Sequence, residues 1–318
     1  MSKLRPRQPA RRRCRLRRVK PGTTYLITEK TSDDLFWLVA SLEMNALLLY
    51  TLVLWARRYG VLIHAFCFMS NHVHLLVTDV RGELPAFMGQ FLTETSKAIK
   101  VLLGETRRIW SGKRYSAVAL LDLDAAERKV AYCTLNPARA GLTDPTVWPG
   151  VTSAHWKFGD TITAQRPAVY FSPRYRPDEV SIELSPVAFA FPTANGEEQG
   201  RACEESHVRV EALIECELES IHRDLERRGQ SLAGPERVRS ASREQRGSHP
   251  VRTLNPNFAT QDKVLLASGI AEKRQFESDH ERARRRYVAG HTRTVFPPGT
   301  YGYRLLLGVR VGWDGAAA

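Results

Sequence analysis

The chain has 318 residues, 43% of them hydrophobic, and a formal charge of +13 at pH 7. A pI near 9.8 fits a polyanion as partner. No apolar run approaches the roughly 20 residues that span a bilayer: Leu47–Trp55 is too short and runs into Arg57 and Arg58.

The charge is concentrated at the start. Residues 1–20 carry ten basic side chains and no acid, which leaves +3 for the rest. This composition predicts a disordered basic tail that orders on phosphate. Arg11, Arg12, Arg13, Arg15, Arg17 and Arg18 are its candidate DNA contacts. A transit peptide or a solvated charge run would look similar; without an apolar core the segment is not a secretory signal. The five cysteines (Cys14, Cys67, Cys133, Cys203 and Cys216) show no paired spacing for zinc or for a disulfide framework. Cys67 and Cys133 lie in apolar surroundings and read as core thiols, which points to a reducing cytoplasm.

The next elements are predicted as a strand at Thr23–Glu29, a helix at Met44–Tyr59, strands at Val61–Met69 and His72–Thr78, and a helix at Leu84–Leu103. A short strand at Ser116–Leu121 and a helix from Asp124 to Pro137 follow, with Asp122 or Asp124 as cap. Strand–helix–strand–strand–helix–strand is the α+β, ferredoxin-like (RRM-like) order, an antiparallel sheet with helices on one face. The other face is then expected to be open.

After Trp156 the character changes. Prolines recur at Pro167, Pro173, Pro177, Pro186 and Pro192, and 193–206 reads as a polar linker. Glu211–Arg228, with Leu213, Ile214, Leu218, Ile221 and Leu225 at helical spacing, predicts an amphipathic helix. Residues 229–253 read as a Ser/Gly/Arg-rich linker. Gln261–Val288 predicts another helix ending in Arg282, Arg284, Arg285 and Arg286, either a DNA contact or a solvated helix end. The expected organisation is a tail at 1–20, a catalytic domain at 21–156 and a mainly helical extension at 157–318.

The most informative feature lies in the third predicted strand. Strand side chains alternate faces, so His72 and His74 of Ser70-Asn71-His72-Val73-His74 project to one side while Val73 points into the core. Two imidazoles side by side make a half-site for a divalent cation; alone, they also read as polar residues on a solvated face. Tyr132 and Asn136 are one turn apart on the last helix of this half, which offers a phenol and an amide oxygen. Taken singly, Tyr132 also reads as a core or rim tyrosine, and Asn136 as a helix-end residue before Pro137.

The run Met69–Leu75 followed by Tyr132-Cys133-Thr134-Leu135-Asn136-Pro137-Ala138-Arg139-Ala140-Gly141-Leu142 resembles the single-tyrosine transposases of the HUH nuclease superfamily. The match is closest to the REP-associated branch in its long form. Phe87–Phe91, Ile109–Ser111, Trp148–Val151 and, in the tail, Val295–Tyr301 are further matching pieces. The strong part of the resemblance covers Thr23 to Trp156.

The resemblance implies a transposase and single-strand endonuclease, acting in DNA transposition and recombination. Tyr132 would attack a phosphodiester of single-stranded or hairpin DNA to leave a 5′-phosphotyrosyl link. That link conserves the bond energy, so no nucleotide cofactor is needed. His72 and His74 would hold Mg²⁺ or Mn²⁺, with Asn136 where relatives place a third ligand; the metal is the Lewis acid that offsets the poor nucleophilicity of an ordinary phenol. The implied setting is the bacterial cytoplasm at the nucleoid, as monomer or homodimer. The alternative is a domesticated, non-catalytic DNA-binding protein of the same fold. A replication initiator would bring a Gly-rich phosphate loop, absent here. A tyrosine-independent hydrolase would need acidic ligands, for which Asp79 is the only close candidate. Trp110 is read as either a base-stacking or a core residue, and Tyr115 as a stacking candidate.

Overall fold

The structure, a computed structural model, describes residues 16, 18–112, 114–193, 195–247 and 256–312. It divides into a larger unit, Lys20–Ile270, and a smaller one formed by the described residues of Met1–Val19 and Ala271–Ala318.

The larger unit opens with β1 (Thr23–Lys30), α1 (Leu42–Tyr59), β2 (Val61–Met69), β3 (His72–Asp79), α2 (Leu84–Leu103) and β4 (Ser116–Leu120). These four strands form an antiparallel sheet in the order β2-β3-β1-β4. The architecture is mixed α+β with a predominantly antiparallel sheet.

Local chemistry sets the boundaries. The Ser41 hydroxyl accepts from Met44 N–H at 3.1 Å and starts α1. Gly60, at φ +63°, ends it in the left-handed conformation that glycine adopts at least cost. Asp79 accepts from the N–H groups of Glu83 and Leu84 at 2.8 and 2.9 Å and so caps α2. That carboxylate is committed to a helix end, which removes the candidate acidic ligand of a tyrosine-independent hydrolase.

A shift in pairing between Ile63 and Ala65 in β2 resets the alternation of its side chains. Ile63, Phe66 and Phe68 therefore join Tyr25, Ile27, Val73, Leu75 and Val77 on the face covered by α1 and α2. Trp110 belongs to this core: it is 6% exposed, and its indole N–H donates to Thr95 Oγ1. It is therefore no stacking surface. Tyr115 packs against the same cluster.

The second face is not open, contrary to expectation. Leu26, Ala65, Cys67, Met69, Leu76, Val118 and Leu120 on this face are covered by α3 (Leu123–Thr134) through Ala126, Val130 and Cys133. The helix α3 is capped by Asp122, which accepts from Ala125 N–H at 2.6 Å. It stops at Thr134 rather than reaching Pro137. Pro137 instead opens the short α4 (Asn136–Arg139), where a missing N–H costs nothing.

The part of the extension that belongs to the larger unit packs into it. The hairpin β5 (Thr161–Gln165) and β6 (Glu179–Glu183) places Ile162, Ala164 and Val180 in the α1 core. The segment expected as a linker at 193–206 is largely helical. Asn195 caps α5 (Gly196–Arg227), which runs 32 residues and also takes in most of the predicted Glu211–Arg228 helix. Its opening acids Glu197 and Glu198 favour a helix start, and Ser206 and Val210 are buried. The second expected linker, 229–253, is also largely docked. It contains α6 (Pro235–Arg239) with Val238 buried, and the N–H of Gly234 bonds the Leu142 carbonyl at 2.8 Å. Residues 248–253 lie outside the described residues. A two-residue strand, β7 (Phe258–Ala259), then pairs parallel to β4.

The smaller unit contains the C-terminal part of α7 (Lys263–Val288), β8 (Val295–Phe296), α8 (Gly302–Leu307) and β9 (Arg310–Val311) around Phe276, Ala283, Phe296 and Val309. No helix among the described residues is long and apolar enough to cross a membrane.

Candidate active site

His72 and His74 sit at the start of β3 on the face shared with Leu76 and covered by α3. Their ring centroids are 4.8 Å apart at 84°. The register fixes their neighbours: Thr28 of β1 lies opposite His74 and Met69 of β2 opposite His72. Thr28 Oγ1 lies 2.9 Å from His74 Nδ1, and Asn71 Oδ1 lies 2.8 Å from His72 Nδ1. An amide oxygen can only accept, so His72 Nδ1 is the donor in this contact. Both histidines are almost buried, at 7% and 5% exposure.

The helix α3 brings Tyr132 to this pair. Its ring centroid is 5.3 Å from that of His74, at 80°. Tyr132 is half-buried and flanked by two cations: the Lys129 ammonium at 5.3 Å and the Arg139 guanidinium at 5.6 Å from the ring centroid. Arg139 is itself ion-paired to Glu217 of α5. A second polar contact holds α3 against α5. Arg209 donates from Nε and a terminal nitrogen to Glu127 at 2.9–3.1 Å, and Glu127 is 3% exposed.

Three of the sequence-expected residues, His72, His74 and Tyr132, thus form one cluster. Asn136 lies past the helix break, 8% exposed at the first position of α4. Among the described residues no side-chain hydrogen bond ties it to either histidine, and no group of three or more His, Cys, Asp or Glu side chains is assembled for a metal. Of the tail arginines, Arg11, Arg12, Arg13, Arg15 and Arg17 lie outside the described residues. Arg18 is ordered in the smaller unit, where it pairs with Glu272 at 2.9 Å.

Sequence reasoning missed Thr28, Lys129, Arg139 and Glu217. Lys129 was findable, three residues before Tyr132 and therefore on its face of the helix. Thr28 was not, because nothing local ties it to His74. Cys67 and Cys133 are buried free thiols as expected; burial pushes Cys67 up to about 12 and Cys133 upward as well.

No protein-family model matches the chain, and no curated protein does. Among solved structures, a REP-associated tyrosine transposase bound to a REP hairpin aligns over 49% of this chain and 84% of its own, with 18% identity and a TM-score of 0.38.

Proposed function

We propose that the chain is a single-tyrosine DNA transposase of the HUH type, built on a ferredoxin-like core, that cuts and rejoins single-stranded or hairpin DNA. The observation that carries this reading is the meeting of His72, His74 and Tyr132, delivered by separate elements to one place on the second sheet face.

In this reading the Tyr132 oxygen attacks the scissile phosphorus as its proton is lost. The bond from phosphorus to the 3′-oxygen breaks, and that oxygen takes up a proton. The products are a 5′-phosphotyrosyl link and a free 3′-hydroxyl; attack by a 3′-hydroxyl reverses the step without a nucleotide cofactor. Lys129 and Arg139 supply positive charge beside the ring, where a phenolate and a phosphate would both be stabilised. Thr28 and Asn71 hold the imidazoles by Nδ1, an arrangement that suits ligation through Nε2. Two neutral imidazoles fit Mg²⁺ or Mn²⁺ whose other ligands are phosphate oxygens and water. That ion would polarise the phosphate as a Lewis acid. Asn136 is a ligand in this scheme only if it turns toward the pair.

The test is incubation with single-stranded oligonucleotides from the gene's own flanks plus Mn²⁺, read as a covalent adduct on a denaturing gel. The wild type is expected to form the adduct; Tyr132→Phe, His72→Ala, His74→Ala and the wild type in EDTA are expected not to. An adduct retained by Tyr132→Phe would overturn the assignment.

A further inference from the structure

A second site of distinct chemistry lies on the other side of the sheet, on the helix face. Leu54, Trp55, Arg58 and Tyr59 of α1, Gln90 of α2 and Arg176 of the β5–β6 connection line a cavity of about 380 Å³. That volume falls in the range of about 300–1,000 Å³ typical of ligand sites. Trp55 and Tyr59, one helical turn apart, stack with ring centroids 5.9 Å apart and planes at 29°.

The aromatic ledge is held rigid from beneath. Glu94, 7% exposed, accepts from the Trp55 indole N–H at 2.5 Å with one oxygen and from Arg176 at 2.6 Å with the other. The Arg176 guanidinium lies 5.3 Å from the Trp55 ring centroid. Glu94 therefore offsets the charge of Arg176 and sets the orientation of the ring. Arg58 is different: it is exposed, and among the described residues it forms no ion pair. A second cation continues the positive surface, because the Arg81 side chain lies against Gly60 at the end of α1. The exposed Gln90 adds a donor and an acceptor able to meet a base edge.

A rigid stacked ring pair, a cation beside it that forms no ion pair among the described residues, and a further cation at the end of α1 match a chain of bases and phosphates. We propose that this groove binds a single-stranded nucleic acid, with a base on the Trp55–Tyr59 ledge and its phosphate on Arg58. The site requires neither the histidines nor Tyr132 and stands whether or not the strand-cleaving reading holds. For an enzyme of that kind it would retain a strand on the face opposite the chemistry.

The test uses the full chain carrying Tyr132→Phe, so that no phosphotyrosyl adduct contributes. An oligothymidylate containing 5-iodo-deoxyuridine is crosslinked by ultraviolet light, and the site is mapped by peptide mass spectrometry. Crosslinks are expected at Trp55 or Tyr59. In anisotropy titrations with the same oligonucleotide, Tyr59→Ala should weaken this binding about 5- to 150-fold, the range for loss of one stacked base, and Tyr59→Trp should restore it. Arg58→Gln, a surface change compatible with folding, should lower the slope of log K against log salt by about 0.7. Crosslinks mapping only elsewhere, with affinity unchanged in both variants, would overturn the proposal. So would competition by polyglutamate as effective as by unlabelled oligonucleotide, since that marks a general anion patch.

Discussion

Thr28 shows how a small side chain governs a site it does not enter. Its hydroxyl lies 2.9 Å from His74 Nδ1 and so orients that ring. Loss of such an outer partner typically costs 10- to 100-fold in metal affinity or activity. Thr28→Val is therefore expected to lower the rate of adduct formation by about that factor while leaving the circular dichroism spectrum unchanged, and Thr28→Ser should recover most of the loss. Its neighbour Glu29 points to the opposite face, is 3% exposed and accepts from the Ser111 hydroxyl at 3.0 Å. Burial raises its carboxyl from 4.5 to about 7, against the lowering effect of the Ser111 bonds. Between those values the folded chain holds a proton that the unfolded chain has released, so stability falls as pH rises through this window and stays reduced above it. Glu29→Gln is expected to remove that slope. By thermal unfolding it should stabilise the protein at pH 8 by about 2 kcal/mol, the linkage figure discounted for solvent screening, and have little effect near pH 4.

At the level of elements, α5 acts as a brace on the tyrosine helix. Its Val210 enters the core beneath α3, Arg209 clamps Glu127, and Glu217 holds the Arg139 that flanks Tyr132. Glu127 is nearly buried, whereas Arg209 is half exposed. Removing the arginine strands a carboxylate in a low-dielectric site, so Arg209→Ala is expected to destabilise the fold by about 2–3 kcal/mol in urea titrations. The double replacement Glu127→Leu with Arg209→Met should regain most of this, because no charge is then left buried. A double variant as unstable as the single one would show that Arg209 acts through packing instead. The acidic stretch that opens this helix read as a linker because isolated polar segments have little helical stability of their own. What stabilises it beyond the local cap at Asn195 is tertiary: one face of the helix is seated on α3.

For the whole molecule, the charge and the site make separate demands. Seven of the basic residues fall within 1–15. If four of them touch phosphates, deletion of 1–15 should reduce the salt slope of single-strand binding by roughly 3 while adduct formation persists at low salt; an unchanged slope would assign the segment another role. The sequence by itself determined what depends on neighbours along the chain. Strand alternation put His72 and His74 on one side with Val73 inward, Asp122 or Asp124 marked the start of the tyrosine helix, and the order of elements pointed to an antiparallel α+β core. It could not determine what comes from residues distant in sequence. The register that sets Thr28 opposite His74, the side of the sheet on which α3 lies, the approach of Arg139 and Glu217 to Tyr132, and the closure of the second face were decided only by the tertiary structure. The physical reason is that periodicity and capping are satisfied within a few residues, whereas register, face selection and burial arise when apolar surfaces from separate segments leave water together.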